Sequence, residues 1–98
     1  MFQTELLQKA SSALQAASAA GVRIVTAETC TAGLVSGCIT SVSGASKIFE
    51  RGFVLYHDSA KATGLGVSDE ISKAHGAVSA EVTQGLAEGA LEIGRAHV

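Results

Sequence analysis

Ser46, Tyr56 and Lys61 are residue types from which a hydrolytic site can be built. A serine hydroxyl is a weak nucleophile until a base removes its proton. His57, His75 and His97 are scattered and form no His–Asp arrangement, so the base on offer to Ser46 is Lys61. A lysine serves in that way where burial or a neighbouring cation brings its pKa towards neutrality. Tyr56, at the end of a strand candidate, is placed to relay a proton or orient the pair. Residue types alone leave a plainer alternative open: Ser46 as a helix cap, Tyr56 on the rim of the core and Lys61 as a solvated charge.

A second constellation precedes these residues. The run Val25-Thr26-Ala27-Glu28-Thr29-Cys30-Thr31-Ala32-Gly33 puts a hydroxyl-rich loop between a strand and a helix. Ligands of open α/β sheets bind beyond the carboxyl ends of strands. Free backbone N–H groups and the helix dipole at such a junction favour a phosphate. Glu28, Thr29, Cys30, Thr31 and Gly33 are therefore substrate-binding candidates. Thr29 or Thr31 read equally well as a simple N-cap, and Cys30 as a small core residue.

The elements that must hold these residues follow from periodicity. Leu6, Leu7, Ala10, Leu14 and Ala17 recur at helical spacing over about Thr4 to Ala20, with Gly21 as a stop. The β-branched run from Val22 to Ala27 predicts a first strand, and Phe53-Val54-Leu55-Tyr56 a second. Between them Leu34, Val35, Cys38, Ile39 and Val42 face one side of a helix, closed by a turn at Ser43-Gly44. Ser59 is the expected cap of a short helix through Thr63, and Ser68, followed by Asp69 and Glu70, the cap of the next. Ser79 opens a last helix with Val82, Leu86, Ala90 and Ile93 on one stripe. Gly85 and Gly89 weaken that helix by roughly 1 kcal/mol each against Ala unless close packing uses their missing side chains. The alternation predicts an α/β layered fold, though two strands are a thin platform for so many helices.

Composition sets the outer limits. Ninety-eight residues make one domain, 47% hydrophobic and 16% charged, which excludes a disordered tail. A net charge of -2, with seven scattered Lys and Arg, argues against a nucleic-acid partner. No secretory signal or membrane span is legible, so the chain reads as cytoplasmic. Cys30 and Cys38 would lie roughly 12 Å apart on one helix, beyond disulfide reach. With no second pair to complete a zinc site, they read as free thiols. Lys47, Glu50 and Arg51 read as a solvated turn face, with Arg51 a secondary candidate for a phosphate contact.

The loop run, the turn Gly44-Ala45-Ser46-Lys47, Tyr56, Lys61, Leu65-Gly66-Val67 and His75-Gly76-Ala77-Val78-Ser79 occur in one order. In that order they resemble the C-terminal domain of the CinA family. The resemblance implies an α/β/α sandwich and the deamidation of nicotinamide mononucleotide to nicotinate mononucleotide and ammonia, in pyridine nucleotide salvage. No metal or cofactor is called for, and the small-molecule nucleotide substrate would be handled by a homo-oligomer, a dimer. The family has a Ser in a Gly-Ser-Ser-like turn followed by a Tyr and a Lys, so Ser46, Tyr56 and Lys61 are the implied catalytic group. Gly44 and the N–H groups up to Lys47 would hold the oxyanion, and Glu28, Cys30 and Thr31 would line the pocket. Thr29 stands where the family has Ser, Ala32 where it has Gly, and Ala45 where it has the first Ser of the turn. Ala32 matters if that Gly is needed for a positive φ. The family chain continues past the position of Val98 into further strands and a Gly-rich loop. Residues 1–98 thus read as the N-terminal portion of that domain, lacking its C-terminal strands. The alternative implied by the same resemblance is a non-catalytic competence- and damage-inducible domain serving nucleotide binding or assembly.

Overall fold

A computed structural model describes residues 1–96, with side chains through residue 93; His97 falls outside the described residues. Helix α1 spans Thr4–Ala20, strand β1 Ile24–Glu28, helix α2 Leu34–Thr40 and strand β2 Phe49–Val54. A single 3-10 turn, Ala45–Lys47, precedes β2. Three helices follow: α3 at Asp58–Leu65, α4 at Asp69–His75 and α5 at Ala80–Ala96. β1 and β2 pair in parallel, with Val25 opposite Arg51 and Glu28 opposite Val54. The α2 crossover supplies the connection that a parallel pair requires.

Side chains alternate across a strand, and here the two faces of the sheet meet different partners. Val25, Ala27, Phe53 and Leu55 pack against the buried cluster of Leu65, Val67, Val82, Leu86 and Ala90 from α3, α5 and the loop before α4. Each fully buried Val or Leu in such a cluster contributes about 2 kcal/mol. On the other face Thr26 Oγ1 and Ser36 Oγ hydrogen bond at 2.7 Å, tying α2 down onto β1. Gly52 of β2 lies beneath that pair: a Cβ there would come within 2.7 Å of Thr26 Oγ1. The result is the layered α/β/α arrangement that the sequence predicts. Among the described residues no helix is long and apolar enough to cross a membrane.

Helix boundaries follow their chemistry. Gly21 closes α1 at φ +69°, with its N–H donating to carbonyls of the last turn. Ala10, Leu14 and Ala17 are buried as periodicity requires, whereas Leu6 is left exposed. It borders an open apolar groove of about 480 Å³ between α1 and α2, lined also by Phe2, Leu34, Val35 and Ile39. α3 starts two residues earlier than expected, because the His57 ring, not Ser59, is its cap: Nδ1 accepts from the Ser59 N–H at 3.2 Å. Ser68 occupies the cap position of α4 but makes no side-chain capping bond. Ser79 does cap α5, accepting from the Val82 N–H at 3.3 Å.

Both strands shift from their sequence-based limits. β1 starts at Ile24 and runs on to Glu28, leaving Val22 exposed. β2 is Phe49–Val54, so Tyr56 lies beyond it and Glu50 and Arg51 lie within it. The expected solvated turn at Glu50 and Arg51 is thus a strand. A register shift between Ile24 and Val25 leaves Glu50 as the extra residue of a bulge. Arg51 Nη2 donates to Glu50 Oε1 at 2.9 Å, which engages the guanidinium proposed from sequence as a phosphate contact. That internal pairing is what lets two adjacent charges sit inside a strand.

The two glycines of α5 are explained by packing. A Cβ on Gly85 would come within 3.2 Å of Val67 Cγ2, and one on Gly89 would run into the Leu65 carbonyl oxygen. Helix propensity alone makes Gly89→Ala stabilising by roughly 1 kcal/mol. The contact reverses the sign: Gly89→Ala is expected to lose about 2 kcal/mol through overpacking, read as a lower urea midpoint. A raised midpoint would show that α5 does not lie this close to α3.

Candidate functional site

Glu28 is the last residue of β1 and is 4% exposed. Its side chain turns back over the start of α2. Oε1 accepts from Thr31 Oγ1 at 2.7 Å, the Gly33 N–H at 3.1 Å and the Val35 N–H at 2.9 Å. Oε2 accepts from the Ser36 N–H at 2.9 Å and from Ser36 Oγ at 2.6 Å. Burial by itself pushes this carboxyl's pKa up. The hydrogen bonds from Ser36, Thr31 and Val35 outweigh it and hold the value at about 2 rather than 4.5.

This corrects one expectation. The N–H groups at the start of α2 are not free for a ligand phosphate, because the anion that they bind is the protein's own Glu28. Glu28, Thr31 and Gly33 form the frame of the loop, with Gly33 at φ +98°. Sequence reading missed Ser36, which anchors both Thr26 and Glu28; a hydroxyl one turn into a helix gives no signal beyond ordinary polarity. Ala32 sits at φ +52°, the one non-glycine residue with positive φ among those described. The left-handed conformation that this position requires is thus carried by an alanine.

The remaining candidates fall at opposite ends of the sheet. Because the strands are parallel and Glu28 pairs with Val54, both chains leave the sheet at one end. The Leu55 N–H donates to the Glu28 carbonyl at 2.8 Å, which keeps Thr29 beside the Leu55–Tyr56 segment. Cys30 and Tyr56 are exposed there, and Thr29 is half-buried. Lys61 follows on the first turn of α3 and is 2% exposed, with Nζ 3.4 Å from Asp58 Oδ1. Ser46 and Gly44 lie before β2, at the far end: six strand residues at about 3.3 Å each put them about 20 Å away. Within one chain, then, Ser46 does not share a site with Tyr56 and Lys61. The hydroxyls at their end of the sheet include those of Thr29, Thr31 and Ser59. Thr31 Oγ1 is bound to Glu28 at 2.7 Å and Ser59 Oγ to the His57 ring at 2.9 Å, which leaves Thr29 without a side-chain partner among the described residues. Cys30 and Cys38 are both free thiols, and no metal-binding cluster occurs among the described residues.

Residues 6–98 match the family model of the CinA C-terminal domain. The chain belongs to that family. Nicotinamide-nucleotide amidohydrolase PncC of Escherichia coli K12 is 46% identical over 96 residues, covering 98% of this chain and 58% of the relative. A CinA-like protein of Chlorobium chlorochromatii is 52% identical over 69 residues, 70% of this chain and 16% of the relative. Among solved structures, the competence/damage inducible protein CihA of Agrobacterium tumefaciens superposes with a TM-score of 0.88 at 36% identity, over 94% of this chain and 56% of that one. A CinA superfamily protein of Escherichia coli gives 0.85 at 31% identity, over 97% and 56%. The CinA domain chain described here thus spans a little over half of these relatives' solved chains.

Two outcomes are expected from this geometry. Glu28 contributes stability that is fully present above pH 4.5 and is lost as pH falls towards 2. Allowing for solvent screening in so thin a molecule, the loss is about 2 kcal/mol, and denaturant titrations at pH 6 and pH 3 should show it in the wild type but not in Glu28→Gln. Ala32→Gly should stabilise by about 0.5–1 kcal/mol, since relief of the left-handed strain exceeds the added entropy of the unfolded chain. A melting temperature raised by a few degrees would confirm it, and a lowered one would contradict the positive φ.

Proposed function

We propose that the CinA domain hydrolyses the carboxamide of nicotinamide mononucleotide, with Thr29 in place of Ser46 as the nucleophile. The observation that carries this reading is the parallel Glu28–Val54 pairing, which puts Thr29, Tyr56 and Lys61 at one end of the sheet and Ser46 at the other. The amidohydrolase name of the E. coli relative supports the reaction class. Thr29 Oγ1 would attack the amide carbon while Lys61, assisted by Tyr56, takes the hydroxyl proton. The C–N bond then breaks, the proton leaves with ammonia, and water cleaves the resulting ester to give the carboxylate and restore the hydroxyl. Among the described residues no protein atom accepts from the backbone N–H groups of Cys30 and Thr31, which leaves them as oxyanion donors beside the nucleophile. The reading carries with it a cytoplasmic setting and assembly as a homo-oligomer.

A second reading, a non-catalytic domain, is favoured by one observation: Glu28 itself uses the α2 donors that a substrate phosphate would need. One assay separates the two. Ammonia release from nicotinamide mononucleotide is expected from the wild type and from Thr29→Ser, with a drop of at least about 100-fold in Thr29→Ala and Lys61→Ala. Ser46→Ala should stay within about twofold of the wild type, as fits a surface residue outside the site. A folded wild type without turnover would support the non-catalytic reading, and loss of turnover in Ser46→Ala would overturn the assignment of Thr29.

A further inference from the structure

The far end of the sheet, which holds Ser46, has a feature that the proposed reaction does not use. The Ile24 N–H donates to the Ile48 carbonyl at 2.9 Å, setting Arg23 beside the Ser46–Lys47 segment. Arg23, Ser46, Lys47, Phe49 and Glu50 line one polar cavity of about 300 Å³. Glu50 is engaged by the Arg51 guanidinium at 2.9 Å, so its charge is compensated from outside the cavity. Lys9 pairs with Glu5 and Lys61 with Asp58. Among the lysine and arginine side chains described, this leaves Arg23, Lys47 and Lys73 without an ion pair. Two of the three meet at this one cavity, in a chain of net charge -2.

We propose that this cavity is an anion site for a phosphate group, separate from the Thr29–Tyr56–Lys61 end of the molecule. The Arg23 guanidinium offers a planar fork that matches two phosphate oxygens, and the Lys47 ammonium a point charge. The Ser46 hydroxyl supplies a neutral donor between them. A hydroxyl, an ammonium and a guanidinium around so small a volume suit a tetrahedral oxyanion or a small monoester rather than a whole nucleotide. All three side chains are exposed, so water competes for them and the site is one of millimolar affinity.

The proposal is tested by amide chemical shifts in the wild-type chain titrated with inorganic phosphate and, separately, with ribose 5-phosphate, at constant ionic strength. Saturable shifts confined to residues 44–50 and 23–24 are expected, and the tighter of the two ligands tells a free phosphate from a monoester site. Arg23→Gln and Lys47→Gln should each weaken binding about threefold to fivefold, and together abolish saturation. Lys73→Gln, which removes the third unpaired cation, should leave it unchanged. The same spectra report whether each variant is folded. Shifts that chloride reproduces, or that Lys73→Gln weakens as much as Arg23→Gln does, would overturn the proposal.

Discussion

A buried carboxylate with every oxygen engaged organises this molecule. Glu28 takes the place that solvent or a ligand anion would have at the start of α2, and five donors converge on it. Such a group is costly to bury and stable only while all its partners are in place. The turn after β1, the seating of α2 on the sheet and the direction of Thr29 therefore share one set of hydrogen bonds. The left-handed conformations at Ala32 and Gly33 are the backbone cost of bringing those donors round.

The second organising constraint is steric. α5 reaches α3 and the loop before α4 through two positions without a side chain, and α2 reaches β2 over a third, Gly52. These close approaches let elements with few aromatic residues build a core from Val, Leu and Ala alone. Because the layers are pinned from both sides, the strand ends are held in fixed relation. Residues that share an end of the sheet are then available to one another, and those at opposite ends are not.

Much of the fold was legible in the sequence. The limits of α1, the stripe of α5, the cap at Ser79 and the layered α/β order follow from periodicity and turn residues, whereas Ser68 holds the cap position of α4 without making the bond. β2 was displaced because its first half carries Glu50 and Arg51, whose charges read as a solvated turn until their mutual pairing and the bulge are seen. The candidate site was legible as residues and not as an arrangement. Tyr56, Lys61 and the loop from Glu28 to Gly33 can be picked out along the chain together with Ser46. That Ser46 lies at the opposite end of the sheet from the others depends on strands running parallel, a tertiary fact that spacing along the chain does not contain. Glu28 stands out by its place after the first strand, where ligands bind, and nothing in the sequence shows that its oxygens take their donors from its own loop and the start of α2.

The partners of Glu28 are also close to it along the chain, at separations of three to eight residues. Loops of that length close within tens of nanoseconds, whereas pairing β1 with β2 must first close a segment more than twice as long. The strand, turn and first coil of α2 form a unit whose ordering does not wait for the rest of the sheet. Loop-closure entropy alone thus favours ordering of this corner before the layers that it joins, with β2 docking onto it afterwards.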